Sequence, residues 1–345
     1  MIGKCLVLLS ILQNISLQCS TPSFDNALVN VNEKYVNVTG CISPASLNYA
    51  GEITYLHLAE QNVPDLNRGA IRNVSSKFYL SLPRNGIEIL REEAFLNLPG
   101  VADIDLNGNR IQWIVENSFR DLPSLVRVSL HSNEVSEISP RALCDLPKLE
   151  EVIFTNNRLE TFNQAWFYRT PRLKVLKFQE NFLRSVPKGC FFNLPSITQI
   201  HFGHNQIEFV DKDAFRGLRR LETLSLFDNR LKNFEVVFHT PSKLMDISLA
   251  WNNLTYISDQ MLETLRPIDL VLTLTGNPWQ CACFDKVMNW KMKNNKTLVF
   301  EWFHFREDGV VCIYPKTNSD QCIQRSDDDF QKEYWIPFKY CVMNC

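Results

Sequence analysis
A chain of 345 residues, 45% of them hydrophobic, is long enough to bury one extended core or two ordinary ones. Its 36 basic and 38 acidic side chains are intermixed and leave a net charge of −2, which argues against a nucleic-acid partner or an anionic membrane surface. Beyond the N-terminus no stretch approaches the roughly 18 uninterrupted apolar residues of a membrane helix, so no membrane span is expected.

Residues 1–19 are read as a signal peptide. Lys4 precedes a short apolar run from Cys5 to Leu12, too short to cross a bilayer and suited to the core of a secretory leader, with cleavage between Gln18 and Thr21. Of the 11 cysteines, losing Cys5 leaves an even number if Cys19 is kept, which suits an oxidising compartment. Asn37, Asn73, Asn253 and Asn295 each open an Asn-x-Ser/Thr sequon and are expected to carry glycans on a secreted glycoprotein.

From residue 53 to 277 one pattern recurs. Asn85, Asn109, Asn133, Asn157, Asn181, Asn205 and Asn229 follow one another at 24-residue intervals, Gln61 holds the place one period earlier, and Asn252 and Asn277 continue the series. Eight, five and three residues before each Asn from Asn109 to Asn229 stands an apolar residue, as in Leu221, Leu224 and Leu226. Two residues after it comes another, such as Leu231, and ten after each Asn from Asn85 to Asn205 a Phe or Leu, such as Phe191 and Phe215. Such a repeat cannot bury its own apolar edge, so it must stack on its neighbours: a short strand with alternate residues inward, a turn at the Asn, and a return segment. A buried Asn amide there can bond backbone groups in its own and the adjacent repeat.

The pattern is that of the leucine-rich repeat, L-x-x-L-x-L-x-x-N-x-L, and resembles its extracellular 24-residue class. The resemblance implies an α/β solenoid, a horseshoe of about ten 24-residue repeats with a parallel β-sheet on the concave face and an irregular or short helical convex side. Residues 20–52 would form an N-terminal cap, with Cys19 and Cys41 closing a small loop. Residues 278–345, opening with NPWQCACFDKVMNW, resemble the cysteine-rich C-terminal cap of secreted and cell-surface members. By that resemblance Cys281 bridges Cys312 and Cys283 bridges Cys322, with Pro278 and Trp279 covering the last coil. The gap from Cys312 to Cys322 is shorter than the family's, and Cys341 and Cys345 remain. Either Cys341 replaces Cys322, or the extra cysteines form an intermolecular bond and a disulfide-linked dimer. Cys144 and Cys190 fall two repeats apart, about 10 Å at the inter-strand spacing, too far to bridge, and are expected to be buried free thiols.

Nothing in the sequence specifies chemistry. It contains no H-E-x-x-H, G-x-S-x-G or Walker pattern, and C-x-C lacks the usual C-x2-C hook of a zinc site. No enzyme, metal or cofactor is expected. The informative positions are the variable strand residues of the concave face, most of them small and polar. Phe227 and Trp251 are not, and with Lys177, Gln179, His201 and His204 they define the expected partner-binding patch. Similarity to circulating insect leucine-rich repeat immune proteins and Toll-like receptor ectodomains implies innate immune recognition. The partner would then be an extracellular complement-like protein or receptor, or a microbial ligand. Similarity to Slit- and proteoglycan-type proteins implies an adhesion or guidance role instead. The residues from Ser326 to Cys345 show no coiled-coil heptads.

Overall fold
The computed structural model describes residues 19, 21–239, 241–299, 312 and 321–324. The expected leader and Cys341 and Cys345 lie outside the described residues. The chain forms two compact units, Met1–Pro147 and Lys148–Cys345.

The first unit starts with a hairpin. Strands β1 (Phe24–Val31) and β2 (Lys34–Gly40) pair antiparallel through the two-residue turn Asn32-Glu33. Both turn residues have positive φ, 47° and 70°, the backbone that matches the twist of adjoining strands. β1 then pairs antiparallel with β3 (Tyr55–His57), after which β4 (Phe78–Ser81), β5 (Val101–Asp105) and β6 (Arg127–Ser129) follow in parallel. Their register is that of the repeat: Leu56, Leu80, Ile104 and Val128 lie side by side, each at most 1% exposed. The return segments add a ribbon of two-residue strands, Asp65–Leu66, Ile89–Leu90, Trp113–Ile114 and Glu137–Ile138. Cys19 and Cys41 are joined by a disulfide.

The second unit carries a parallel sheet of β7 (Glu151–Ile153), β8 (Val175–Lys177), β9 (Gln199–His201), β10 (Thr223–Ser225), β11 (Asp246–Ser248), β12 (Val271–Thr273) and β13 (Thr297–Val299). Each central residue is buried, from Val152 through Leu176, Ile200, Leu224, Ile247 and Leu272 to Leu298. β13 falls after the last Asn of the repeat, so the cap extends the sheet by a strand that the repeat pattern does not contain. The return side holds a 3-10 turn at Gln164–Phe167 and a short helix α1 (Asp259–Leu265), capped by the Ser258 hydroxyl accepting from the Met261 amide at 3.0 Å. Helix α2 (Cys281–Asn294) ends where Asn295 turns left-handed at φ 49°.

Two ladders hold the coils. Asn205 accepts from the Leu183 amide at 2.9 Å and donates to the carbonyls of Phe178 and Phe202 at 2.9 and 3.1 Å, so one buried amide ties its own coil to the preceding one. Asn181, Asn229, Asn252 and Asn277 repeat the pattern. On the return side Phe191 stacks on Phe215 and Phe215 on Phe238, at 5.8 and 6.1 Å.

In the cap Cys281 is joined to Cys312 and Cys283 to Cys322, so Cys341 does not take the place of Cys322. Trp279 is 1% exposed and donates its indole N–H to the Leu274 carbonyl. Cys144 and Cys190 are buried free thiols, and burial pushes the Cys190 thiol up to about 12. Among the described residues no helix is long and apolar enough to cross a membrane.

Candidate functional site: the outward face of the second sheet
Alternation along each strand of the second unit sends one residue inward and its neighbours outward. The outward positions are half-buried on every strand from β7 to β12. Register places Lys177, His201, Ser225, Ser248 and Thr273 in one row. Lys177 is paired to Glu151, Nζ to Oε1, at 2.7 Å. His201 Nε2 lies 3.3 Å from Gln199 Oε1. Burial, with Lys177 adding to it and Glu151 opposing, holds the His201 imidazole below its ordinary titration range. Gln179, just past β8, accepts from the Thr155 hydroxyl at 3.1 Å.

The residue before each Asn has a fixed conformation. Glu180, His204, Asp228, Trp251 and Gly276 have φ of 56°, 51°, 51°, 55° and 73°, all left-handed, as the chain turns sharply off the sheet. Trp251 therefore occupies a backbone that bulky residues rarely adopt. A Cβ added at Gly276 would stand 2.7 Å from its ring carbon Cδ2, so the indole lies across the next coil.

Phe227 is also half-buried. It spans Gly203, whose absent Cβ would approach the Phe227 carbonyl oxygen at 3.1 Å. His204 stands edge-on to it and bonds Asp228, Nδ1 to Oδ2, at 2.7 Å. Both aromatics are half-buried, and at Gly276 the missing side chain lets the Trp251 ring settle on the sheet edge. The structure gathers His204, Phe227 and Asp228 into one cluster, with Trp251 one coil on. Lys177, Gln179 and His201 form a second, polar group with Glu151.

Sequence reasoning missed Phe182, 43% exposed, which lines a shallow depression with Asn156, Glu180 and His204. It directly follows Asn181, outside the strand columns that carry the repeat. The column six before each Asn holds Tyr55 and Tyr79, paired in register on the first unit's sheet and 38% and 48% exposed. Reading that column would have found both. Of the sequon residues, Asn37, Asn73 and Asn295 are exposed and Asn253 is half-buried.

Among the described residues no group of three or more His, Cys, Asp or Glu is placed to hold a metal. What the two units share is a class: stacked coils tied by buried amides, presenting a variable outward sheet. The leucine rich repeat model matches residues 52–111, 101–159, 147–207 and 171–231, together over half the chain, and the chain belongs to the leucine-rich repeat family. It is 30% identical over 104 residues to a phospholipase A2 inhibitor of Gloydius brevicaudus siniticus, a match spanning 30% of this chain and 29% of that protein. The fold is similar to a chain of the mouse RP105/MD-1 complex, with TM-score 0.60 and 19% identity over 71% of this chain and 42% of that one. It is also similar to a chain of the octameric Latrophilin 3, Unc5D and FLRT2 complex, with TM-score 0.57 and 18% identity over 81% of this chain and 90% of that one.

Proposed function
We propose that this chain is a secreted, non-enzymatic binding module that engages an extracellular protein through the outward sheet face of its second unit, in innate immune recognition. The observation that carries the reading is the His204–Phe227–Asp228 cluster. An aromatic edge, an imidazole and a carboxylate are held together on the sheet margin, where none of them contributes to the buried ladders. Aromatic anchors ringed by polar groups are the composition of binding hot spots. Lys177, Gln179, His201 and Trp251 extend the surface on either side. Disulfides in both caps support an oxidising, extracellular setting.

A second reading follows from the named relative. A protein related to an inhibitor of phospholipase A2 would bind a secreted enzyme and block it, and the partner here would be such an enzyme. The two readings separate in one experiment. The purified chain is immobilised, and a secreted phospholipase A2 and extracellular fluid from the chain's own source are passed over it in turn. Retention and inhibition of the phospholipase supports the inhibitor reading. Retention of a fluid protein alone, lost on Phe227→Ala, supports the immune one. If nothing is retained, both readings fail.

A further inference from the structure
The first unit's sheet ends at β2, whose far side no described strand covers. The outward side of this terminal hairpin carries two large apolar side chains among the polar Asn30, Asn37 and Thr39. Tyr35 is 67% exposed and Leu28 is 44% exposed, in a cap whose inward residues Val29, Val31 and Val38 are at most 1% exposed. Such a patch at a sheet edge is a liability for strand-to-strand association unless something covers it.

Register shows what stands beside it. Residues two apart on a strand share a face, so Tyr35 and Asn37 point to the same side of β2. Across the hairpin Leu28 lies directly opposite Asn37, and Asn30 opposite Tyr35. Directly opposite residues have Cβ atoms about 4.5–5.5 Å apart, and i, i+2 neighbours are about 7 Å apart. Asn37 is exposed and opens the sequon Asn37-Val38-Thr39. A sugar on its amide therefore emerges between a Tyr ring and a Leu side chain. The apolar C–H face of an N-acetylglucosamine matches an aromatic face, whose negative π cloud attracts polarised C–H groups.

The other three sequons lack this setting. Asn73 lies at φ 59°, with its side-chain oxygen taken by Asn97 at 2.8 Å, and Asn295 ends helix α2 at φ 49°. Asn253 is half-buried, and its backbone N–H donates to the Leu231 carbonyl at 2.9 Å.

We infer that Asn37 carries an N-linked glycan whose first sugar seats on Tyr35 and Leu28, covering the exposed apolar side chains of the terminal hairpin and stabilising the N-terminal cap. The inference rests on the extracellular reading only for passage through a glycosylating compartment. The modification forms a bond from the Asn37 side-chain nitrogen to the sugar's anomeric carbon, breaks that carbon's bond to the lipid diphosphate of the donor, and passes the amide proton to the released diphosphate. The glycan is thus a structural part of the cap.

The test uses the full chain secreted from insect cells, with wild type, Asn37→Gln, Tyr35→Ser, Tyr35→Phe and Tyr35→Ser/Asn37→Gln. Peptide mass spectrometry is expected to find Asn37 occupied in wild type and in both Tyr35 single variants. Asn37→Gln and Tyr35→Ser should each lower the melting temperature by roughly 2–4 °C, with no further loss in the double variant, while Tyr35→Phe stays at the wild-type value. Trimming wild type to its first N-acetylglucosamine should leave the melting temperature unchanged. Nitration of Tyr35 should be several-fold faster in Asn37→Gln than in wild type. An empty Asn37 beside occupied Asn73 or Asn295 overturns the inference and leaves the extracellular reading standing. Losses that add in the double variant, or equal nitration of Tyr35 in both proteins, overturn it too, the latter by showing a face left open for some other partner. No occupied sequon at all would count against the extracellular reading itself.

Discussion

His204 stands edge-on to Phe227, ring centroids 4.8 Å apart and planes at 82°, while its Nδ1 lies 2.7 Å from the Asp228 carboxylate. His204 and Asp228 precede consecutive Asn rungs and share the left-handed backbone those positions require, at φ 51° each. The fold thus fixes the backbone of both residues and makes no demand on their side chains.

The neighbouring aromatic is a different case. Gly276 has φ 73° and the Trp251 ring lies over it. Gly276→Ala would add both a left-handed backbone penalty and a methyl 2.7 Å from the indole, a loss of about 1–3 kcal/mol. Trp251→Ala should recover part of that loss in the double variant. Thermal unfolding of the four proteins in the cycle checks it. Strictly additive losses would show that the ring and the glycine do not interact.

Asn229 accepts from the Ile207 amide at 2.9 Å and donates to the carbonyls of Phe202 and Leu226 at 2.9 and 3.1 Å. Asn229→Leu has nearly the right volume but strands buried backbone groups, each costing about 1–3 kcal/mol. Denaturant unfolding should show a loss of about 3–5 kcal/mol in total. A loss under 1 kcal/mol would mean that the stacked apolar columns hold the coils without the amide ladder.

His201 is kept neutral by burial first and by Lys177 second, against Glu151. Its folded titration midpoint is lowered from 6.5, so its contribution to stability is complete above that pH and lost as pH falls through the lower folded value. Nuclear magnetic resonance titration should place the His201 midpoint below 6.5. His201→Gln should flatten the acid slope of stability. A midpoint at or above 6.5 would contradict the burial.

Cys190 is 5% exposed, with its thiol pushed up to about 12 from 9.0. At pH 8 the thiolate fraction falls roughly a thousandfold below that of an unperturbed thiol. Peptide-resolved labelling should find Cys144 and Cys190 unmodified in the native protein and modified in denaturant. Rapid native labelling of Cys190 would mean that the return segment opens.

The repeat was legible because every coil solves one burial problem with the same residues. Leu224, Leu226 and Asn229 recur as columns, and a column is visible in a single chain. β13 was not legible, since Thr297–Val299 borrows its partner from β12 without carrying an Asn of its own. The state of Phe227 and Trp251 escaped for another reason. Phe227 lies beside Gly203 and Trp251 over Gly276, 24 and 25 residues away in sequence and adjacent only once the coils stack. Tyr35 and Leu28 come together with Asn37 through hairpin register, which is set by a two-residue turn at Asn32-Glu33 that carries no glycine.

The central claim is that the sheet margin around Phe227 recognises an extracellular protein. The most direct measurement is the affinity of the partner recovered from native fluid for wild type, Phe227→Ala and the unrelated surface variant Met292→Ala, with melting temperatures measured alongside. The account predicts that Phe227→Ala weakens binding at least tenfold, about 1.4 kcal/mol, while Met292→Ala binds as wild type. Equal affinity of all three proteins, with Phe227→Ala still folded, would contradict it.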